Sequence, residues 1–150
     1  MSDNNHQAGA VSPELDAMTC DMIGLFLDAL AEGDDPGVVV CVEDAAGARY
    51  QAAFSDDGEE ACLAAAQAFV SEHAAHGISD EGVGKLVRYA IAYTGCVNID
   101  GEYANAVLVS FFERGLPSGY SAYVLYDNVG AGDEFMWSDP EPAGEEPSLF

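Results

Sequence analysis

Val87-Arg88-Tyr89-Ala90-Ile91-Ala92-Tyr93-Thr94 sets Val, Tyr, Ile and Tyr against Arg, Ala, Ala and Thr. A period of two is that of a strand, whose successive side chains point to opposite faces. Further along, Asp100-Gly101 stands between two apolar runs. That dipeptide is the strongest short hairpin signal, because a tight two-residue turn needs positive φ at both central positions. The run from Ala104 to Phe112 therefore returns antiparallel to the first. Gly95, inside the outgoing strand, marks a bulge or bend.

Beyond this hairpin, Gly115, Pro117 and Gly119 place a loop over 113–119, and Tyr120 to Tyr126 forms a further strand. Phe135-Met136-Trp137 adds a short edge strand or packs on the core. From Ser138 onward, prolines alternate with acids, so residues 138–150 are expected as a flexible acidic tail.

Before the hairpin lies a helix. Asp57 and Glu60 have capping-box spacing, Leu63, Ala66, Phe69 and Val70 form an apolar stripe, and Gly77 follows the last turn. A short helical piece is expected from Ser79 to about Lys85. Earlier still, Val38-Val39-Val40-Cys41-Val42 reads as a strand buried on both faces. Asp44 to Gly47 is a turn, and Tyr50, Ala52 and Phe54 give a strand with one face inward. The first helix has Ser12 as N-cap and Pro13 at its first position. Leu15, Met18, Met22, Leu25, Phe26, Ala29 and Leu30 make its stripe, and Gly33 ends it. Residues 1–11 are polar and expected to be flexible.

The order is α-β-β-α-β-β-β. It predicts an α+β domain over residues 12–137: an antiparallel sheet of about five strands with two amphipathic helices packed on one face, in two layers. Over residues 13–127 the element order resembles that of roadblock-type and profilin-like modules, without a diagnostic motif. The resemblance implies binding of other proteins rather than catalysis.

The chain of 150 residues carries 27 acids against 4 Lys plus Arg, a net charge of −23, and 49% of its residues are hydrophobic. The apolar fraction excludes a disordered acidic tail. Four basic residues cannot neutralise nucleic acid phosphates or dock an anionic membrane. No apolar run reaches the ~20 residues of a membrane span. The acids are spread evenly along the chain, as a whole-surface adaptation to salt would require. The N-terminus lacks the basic and apolar segments of a signal peptide, which points to the cytoplasm. Cys20, Cys41, Cys62 and Cys96 sit among apolar residues and read as reduced core thiols.

Motifs for chemistry fail on spacing. Glu72-His73-Ala74-Ala75-His76 has two His at i, i+3 but no third ligand nearby, and His near a helix C-terminus suits its negative end. Gly82-Val83-Gly84-Lys85 has Ser79 and Leu86 where a phosphate loop needs Gly and Ser or Thr. The acidic glycine loop 127–134 lacks EF-hand spacing. No Gly-x-Ser-x-Gly occurs. No catalytic residue, metal site or cofactor is therefore assigned.

Binding residues come from scarcity and placement. Arg88 and Arg114 are rare cations whose planar forks suit carboxylates, and Glu113 precedes Arg114. Each is read either as part of an anion site or, more simply, as an internal ion pair. Tyr89, Tyr93, Tyr120, Tyr123 and Tyr126 fall on neighbouring strands. By default such cross-strand aromatics stabilise the sheet, whereas an uncovered face lined with them would suit protein recognition, with Tyr123 as the binding residue expected there. Ser148-Leu149-Phe150 has the form of a carboxylate-groove ligand, with little specificity.

The expected function is a non-catalytic protein-interaction or regulatory module of an acidic cytoplasm. Its partner is a protein, a second copy of the chain included, with no nucleic acid and no membrane. One alternative is an acidic decoy, an immunity-type inhibitor of a basic nucleic-acid-binding protein. A further alternative is a small enzyme with an anion or metal pocket at Arg88 or at His73 and His76.

Overall fold

The computed structural model describes residues 12–55, 58–146 and 149. The expectations for residues 1–11, Asp57, Ser148 and Phe150 lie outside these.

Ser12 caps α1 (Pro13–Ala31): its hydroxyl accepts from the Leu15 amide at 3.1 Å, with Pro13 in the first turn. At the other end the Gly33 and Asp34 amides donate to the carbonyls of Leu30 and Ala29. These close the orphan groups that every helix end leaves. The chain then forms β1 (Val38–Asp44), β2 (Arg49–Phe54), α2 (Glu59–His73), a 3-10 turn (Ser79–Glu81), β3 (Leu86–Ile99), β4 (Glu102–Glu113), β5 (Gly119–Asp127), a 3-10 turn (Gly132–Glu134), β6 (Met136–Trp137) and β7 (Glu141–Glu146). Gly58 stands at the N-cap of α2 and makes no side-chain capping bond, so the helix begins one residue later than the capping-box reading places it.

The strands run antiparallel in the order β2-β1-β3-β4-β5, and the far edge of β5 is covered by β6 at one end and β7 at the other. Asp100 (φ 53°) and Gly101 (φ 89°) make the β3–β4 turn. The register between these strands is unbroken from Arg88↔Glu113 to Ile99↔Glu102. Gly95 is therefore not a bulge. A Cβ there would stand 2.7 Å from Leu108 Cδ1, and the missing side chain makes room for Leu108.

The antiparallel α+β architecture is as expected, and two of its details differ. The sheet has seven strands rather than about five, and the helices lie on opposite faces rather than one. Val39 and Cys41 pack with Leu15, Met18, Met22 and Phe26 of α1. Val38, Val40 and Val42 pack with Cys62, Ala66 and Val70 of α2. Every residue of β1 is buried. Burying both faces of a strand with period two takes a layer on each side.

The segment expected as an acidic tail supplies β7. Its side chains are almost all exposed, and it pairs with β5 from Gly119↔Glu146 to Tyr123↔Glu141. Glutamates that face water do not prevent the backbone from satisfying an open sheet edge. The core-thiol expectation also holds for only half the cysteines: Cys41 and Cys62 are buried, whereas Cys20 and Cys96 are exposed, and none forms a disulfide. Cys20 falls on the solvent flank of α1, and Cys96 lies on the hairpin arm. Among the described residues, no helix is long and apolar enough to cross a membrane.

Candidate interaction surface

Arg88 and Glu113 are brought together, and they belong to a longer row. Glu43 pairs in register with Arg49 on one side and Arg88 on the other, and Arg88 with Glu113. Four strands thus carry charges of alternating sign on the α1 face. Arg88 Nε donates to Glu113 Oε2 at 2.7 Å and its Nη1 donates to Glu43 Oε1. Arg49 bridges Glu43 at 3.1 Å and Asp21 of α1 at 3.0 Å. The Ser12 hydroxyl donates to Glu113 Oε2 at 2.9 Å. Burial opposes the Arg88 charge, but its bonds to Glu113 and Glu43 outweigh this and hold its pKa above the ordinary value. The row fastens the start of α1 to the sheet, and two of the Arg88 donors are already engaged within the chain.

Arg114 stands apart from this row. Its Nε donates to the Leu86 carbonyl at 2.7 Å and its Nη2 to that of Ala74 at 3.3 Å, tying the end of α2 to the start of β3. His73 packs on Phe69, with ring centroids 4.6 Å apart, and its Nδ1 lies 3.1 Å from the Gly77 carbonyl oxygen. His76 is exposed beyond the helix. The Gly84 amide donates to Asp44 Oδ2 at 2.8 Å, so the glycine-lysine stretch holds a carboxylate of its own chain.

Tyr123 lies on the opposite face of the sheet from the charged row. It pairs with Leu108, which pairs with Tyr93; beside this row Leu125 pairs with Ala106. Tyr93, Leu108, Tyr123 and Leu125 are all half-buried. The helix on this face, α2, lies over the β1–β3 half, where Phe69 meets Tyr50 and Phe54 at 5.9 and 6.4 Å. Next to the row Leu149 lies against this face. The Leu149 amide donates to the Tyr89 hydroxyl at 3.2 Å, and the Ser71 hydroxyl donates to the Leu149 carbonyl at 3.0 Å. Burial pushes the Tyr89 hydroxyl up to about 12.

A cavity of about 250 Å³ opens between the start of β1 and the end of β2, lined by Asp35, Ser55, Cys62, Tyr93 and Thr94 among others. Both Asp35 oxygens accept bonds there, from the Gly37 amide at 2.9 Å and the Thr94 hydroxyl at 3.2 Å. Neither His73 nor His76 is among its lining residues.

Two features escaped the sequence reading. Glu43, 6% exposed, is the centre of the charged row. Its signal was present: Glu43, Arg49, Arg88 and Glu113 sit at strand ends with opposite signs, but only the pairing order aligns them. The second is Met136 and Trp137, exposed at 57% and 61%. No protein-family model, no curated protein and no solved structure matches this chain.

Proposed function

We propose that this chain is a non-catalytic protein-interaction module that receives its partner on the β4–β5 half of the sheet. The observation that carries the reading is the half-buried row Tyr93–Leu108–Tyr123 with Leu125 beside it. Tyrosine and leucine on a rigid sheet offer large contact area at little entropic cost, and a partner layer would complete their burial. The exposed acids belong to every part of the surface: Glu14, Asp16 and Asp28 on α1, Glu60 and Glu72 on α2, Asp100 and Glu102 at the hairpin, Glu141 and Glu145 on β7. Such a spread favours a general adaptation of the protein over a decoy, which needs one concentrated acidic face.

The test replaces Tyr123 by a photo-crosslinking phenylalanine in the full chain, with the same residue at Glu60 on the outer side of α2 as reference. The reading expects a discrete adduct, with a protein or with a second copy, at position 123 only. It expects that adduct to vanish in Leu108→Glu. Equal labelling at both positions, or none at 123, would overturn it.

A further inference from the structure

On the other face of the molecule a groove runs between α1 and the β5–β6 edge. One wall is the flank of α1 at Cys20, Ile23, Gly24 and Leu27, and the facing wall is Trp137, Ser138 and Pro140 over Val124. Its volume is about 240 Å³. These α1 residues recur at the helical period beside the buried Leu15, Met18, Met22, Phe26 and Leu30, and of them Ile23 and Leu27 are half-buried against the edge of that core.

We propose that this groove seats a cationic amphipathic helix of a partner protein. The proposal concerns a surface other than the Tyr123 face and does not depend on it. Trp137 is the anchor. It is 61% exposed, yet it pairs with Tyr126 across the ladder and stacks on buried Phe135 at 6.0 Å and 28°. An aromatic held in place before binding loses little freedom on binding, and Trp leads the residues that dominate interfaces. Gly24 leaves a notch in the helix wall, since a Cβ there would meet nothing within 4 Å. A small residue at such a point lets an incoming helix ride close, with its own side chains seated between Ile23 and Leu27.

The alternatives fit less well. An added strand needs an open edge, and β5 has already given its own to β6 and β7. The charge selects the sign of the occupant. Asp139 lines the groove, exposed Asp16 stands one helical turn before Cys20, and none of the four basic residues lines the groove. At the groove wall, burial first and then the charges of Asp16 and Asp21 raise the pKa of the Cys20 thiol. A second copy, also at −23, is repelled at low salt, whereas a lysine-rich helix is attracted.

Trp137 is the single tryptophan of the chain, so tryptophan emission comes from one wall of the groove. The probe is a synthetic Leu/Lys peptide of roughly five helical turns, about 18 residues. It carries Leu at i, i+3, i+4 and i+7 and lacks Trp and Tyr. A scrambled peptide of the same composition and a Leu/Glu peptide are the references. The expected result is a saturable blue shift with the Leu/Lys helix, weakened as salt is raised. Binding of the scrambled peptide should be weaker by roughly tenfold to a hundredfold, the worth of one or two buried leucines. Gly24→Gln fills the notch with a better helix former; it should leave the circular dichroism unchanged and weaken the Leu/Lys peptide by a similar factor. Three outcomes overturn the proposal: equal binding of the scrambled peptide, binding without a shift in Trp137 emission, or full affinity in Gly24→Gln. Each would mean a peptide gathered by net charge without a seat in the groove.

Discussion

Removing the guanidinium of Arg88 should cost this protein a large share of its stability. The Arg88, Glu43 and Glu113 side chains are 11%, 8% and 16% exposed, so the charges of this trio are largely withdrawn from water. Arg88→Met keeps the aliphatic stem and leaves two carboxylates of like charge on one row. Glu43 keeps Arg49 at 3.1 Å, and Glu113 keeps, among the described residues, the Ser12 hydroxyl at 2.9 Å. Breaking a buried pair from one side costs about 3–5 kcal/mol. The partner left to Glu43 places the expected loss near about 3 kcal/mol, a substantial part of a typical stability of roughly 5–15 kcal/mol. With a urea slope of about 2 kcal/mol per molar, the midpoint should fall by roughly 1.5 M. The assay is urea unfolding in molar KCl, which screens the general repulsion of the net charge of −23 and screens this row much less. The triple variant Glu43→Gln, Arg88→Met, Glu113→Gln should regain most of the loss, because it leaves no uncompensated charge. A single-variant loss below about 1 kcal/mol, the scale of exposed pairs, would refute the reasoning. So would a triple variant no more stable than the single one, which would assign the loss to packing of the arginine stem.

Three further perturbations discriminate local claims. Gly77 has φ 71°, and a Cβ there would press on the carbonyl groups of Val83 and Gly84; Gly77→Ala should therefore cost roughly 2–6 kcal/mol in chemical unfolding. Gly101→Ala (φ 89°, with open space around it) should cost only about 1–2 kcal/mol, and similar losses at the two sites would remove the close-approach argument. Hydrogen bonds from the Gly84 and Ala48 amides, with that from Ala46, outweigh desolvation and hold the Asp44 carboxyl below its ordinary pKa. A carboxylate depressed in the folded state stabilises above its unfolded pKa of about 4 and ceases to do so as pH falls through the folded value. Asp44→Asn should hence lower the melting temperature at neutral pH, with the gap to the parent protein closing below about pH 4; a pH-independent gap would contradict this. Iodoacetamide on the folded protein should modify Cys20 and Cys96 and spare Cys41 and Cys62, read by intact mass and peptide mapping. Burial pushes the Cys41 thiol up to about 11, and rapid native alkylation there would count against its placement beneath α1.

Local rules carried most of the elements. Ser12-Pro13, the helical stripe from Leu15 to Leu30, the alternation from Val87 to Thr94 and the Asp100-Gly101 turn are statements about a few neighbouring dihedral angles, and they hold wherever the segment is placed. The run Val38–Val42 also contained the correction to its own fold. A strand apolar on both faces demands two covering layers, which is incompatible with both helices on one face. The site was less legible. Arg88 and Glu113 could be singled out by rarity, but Glu43 lies 45 residues from Arg88 in the chain, and only the β1–β3 register joins them.

The tertiary structure alone decided which half of the sheet escapes the helices, that an acidic Pro- and Gly-containing segment completes the edge of β5, and that Trp137 faces water beside α1. Each of these depends on burial and pairing summed over distant segments. A side chain knows its own periodicity from its neighbours, but whether its face meets a helix, a strand or solvent depends on how the rest of the chain covers the sheet.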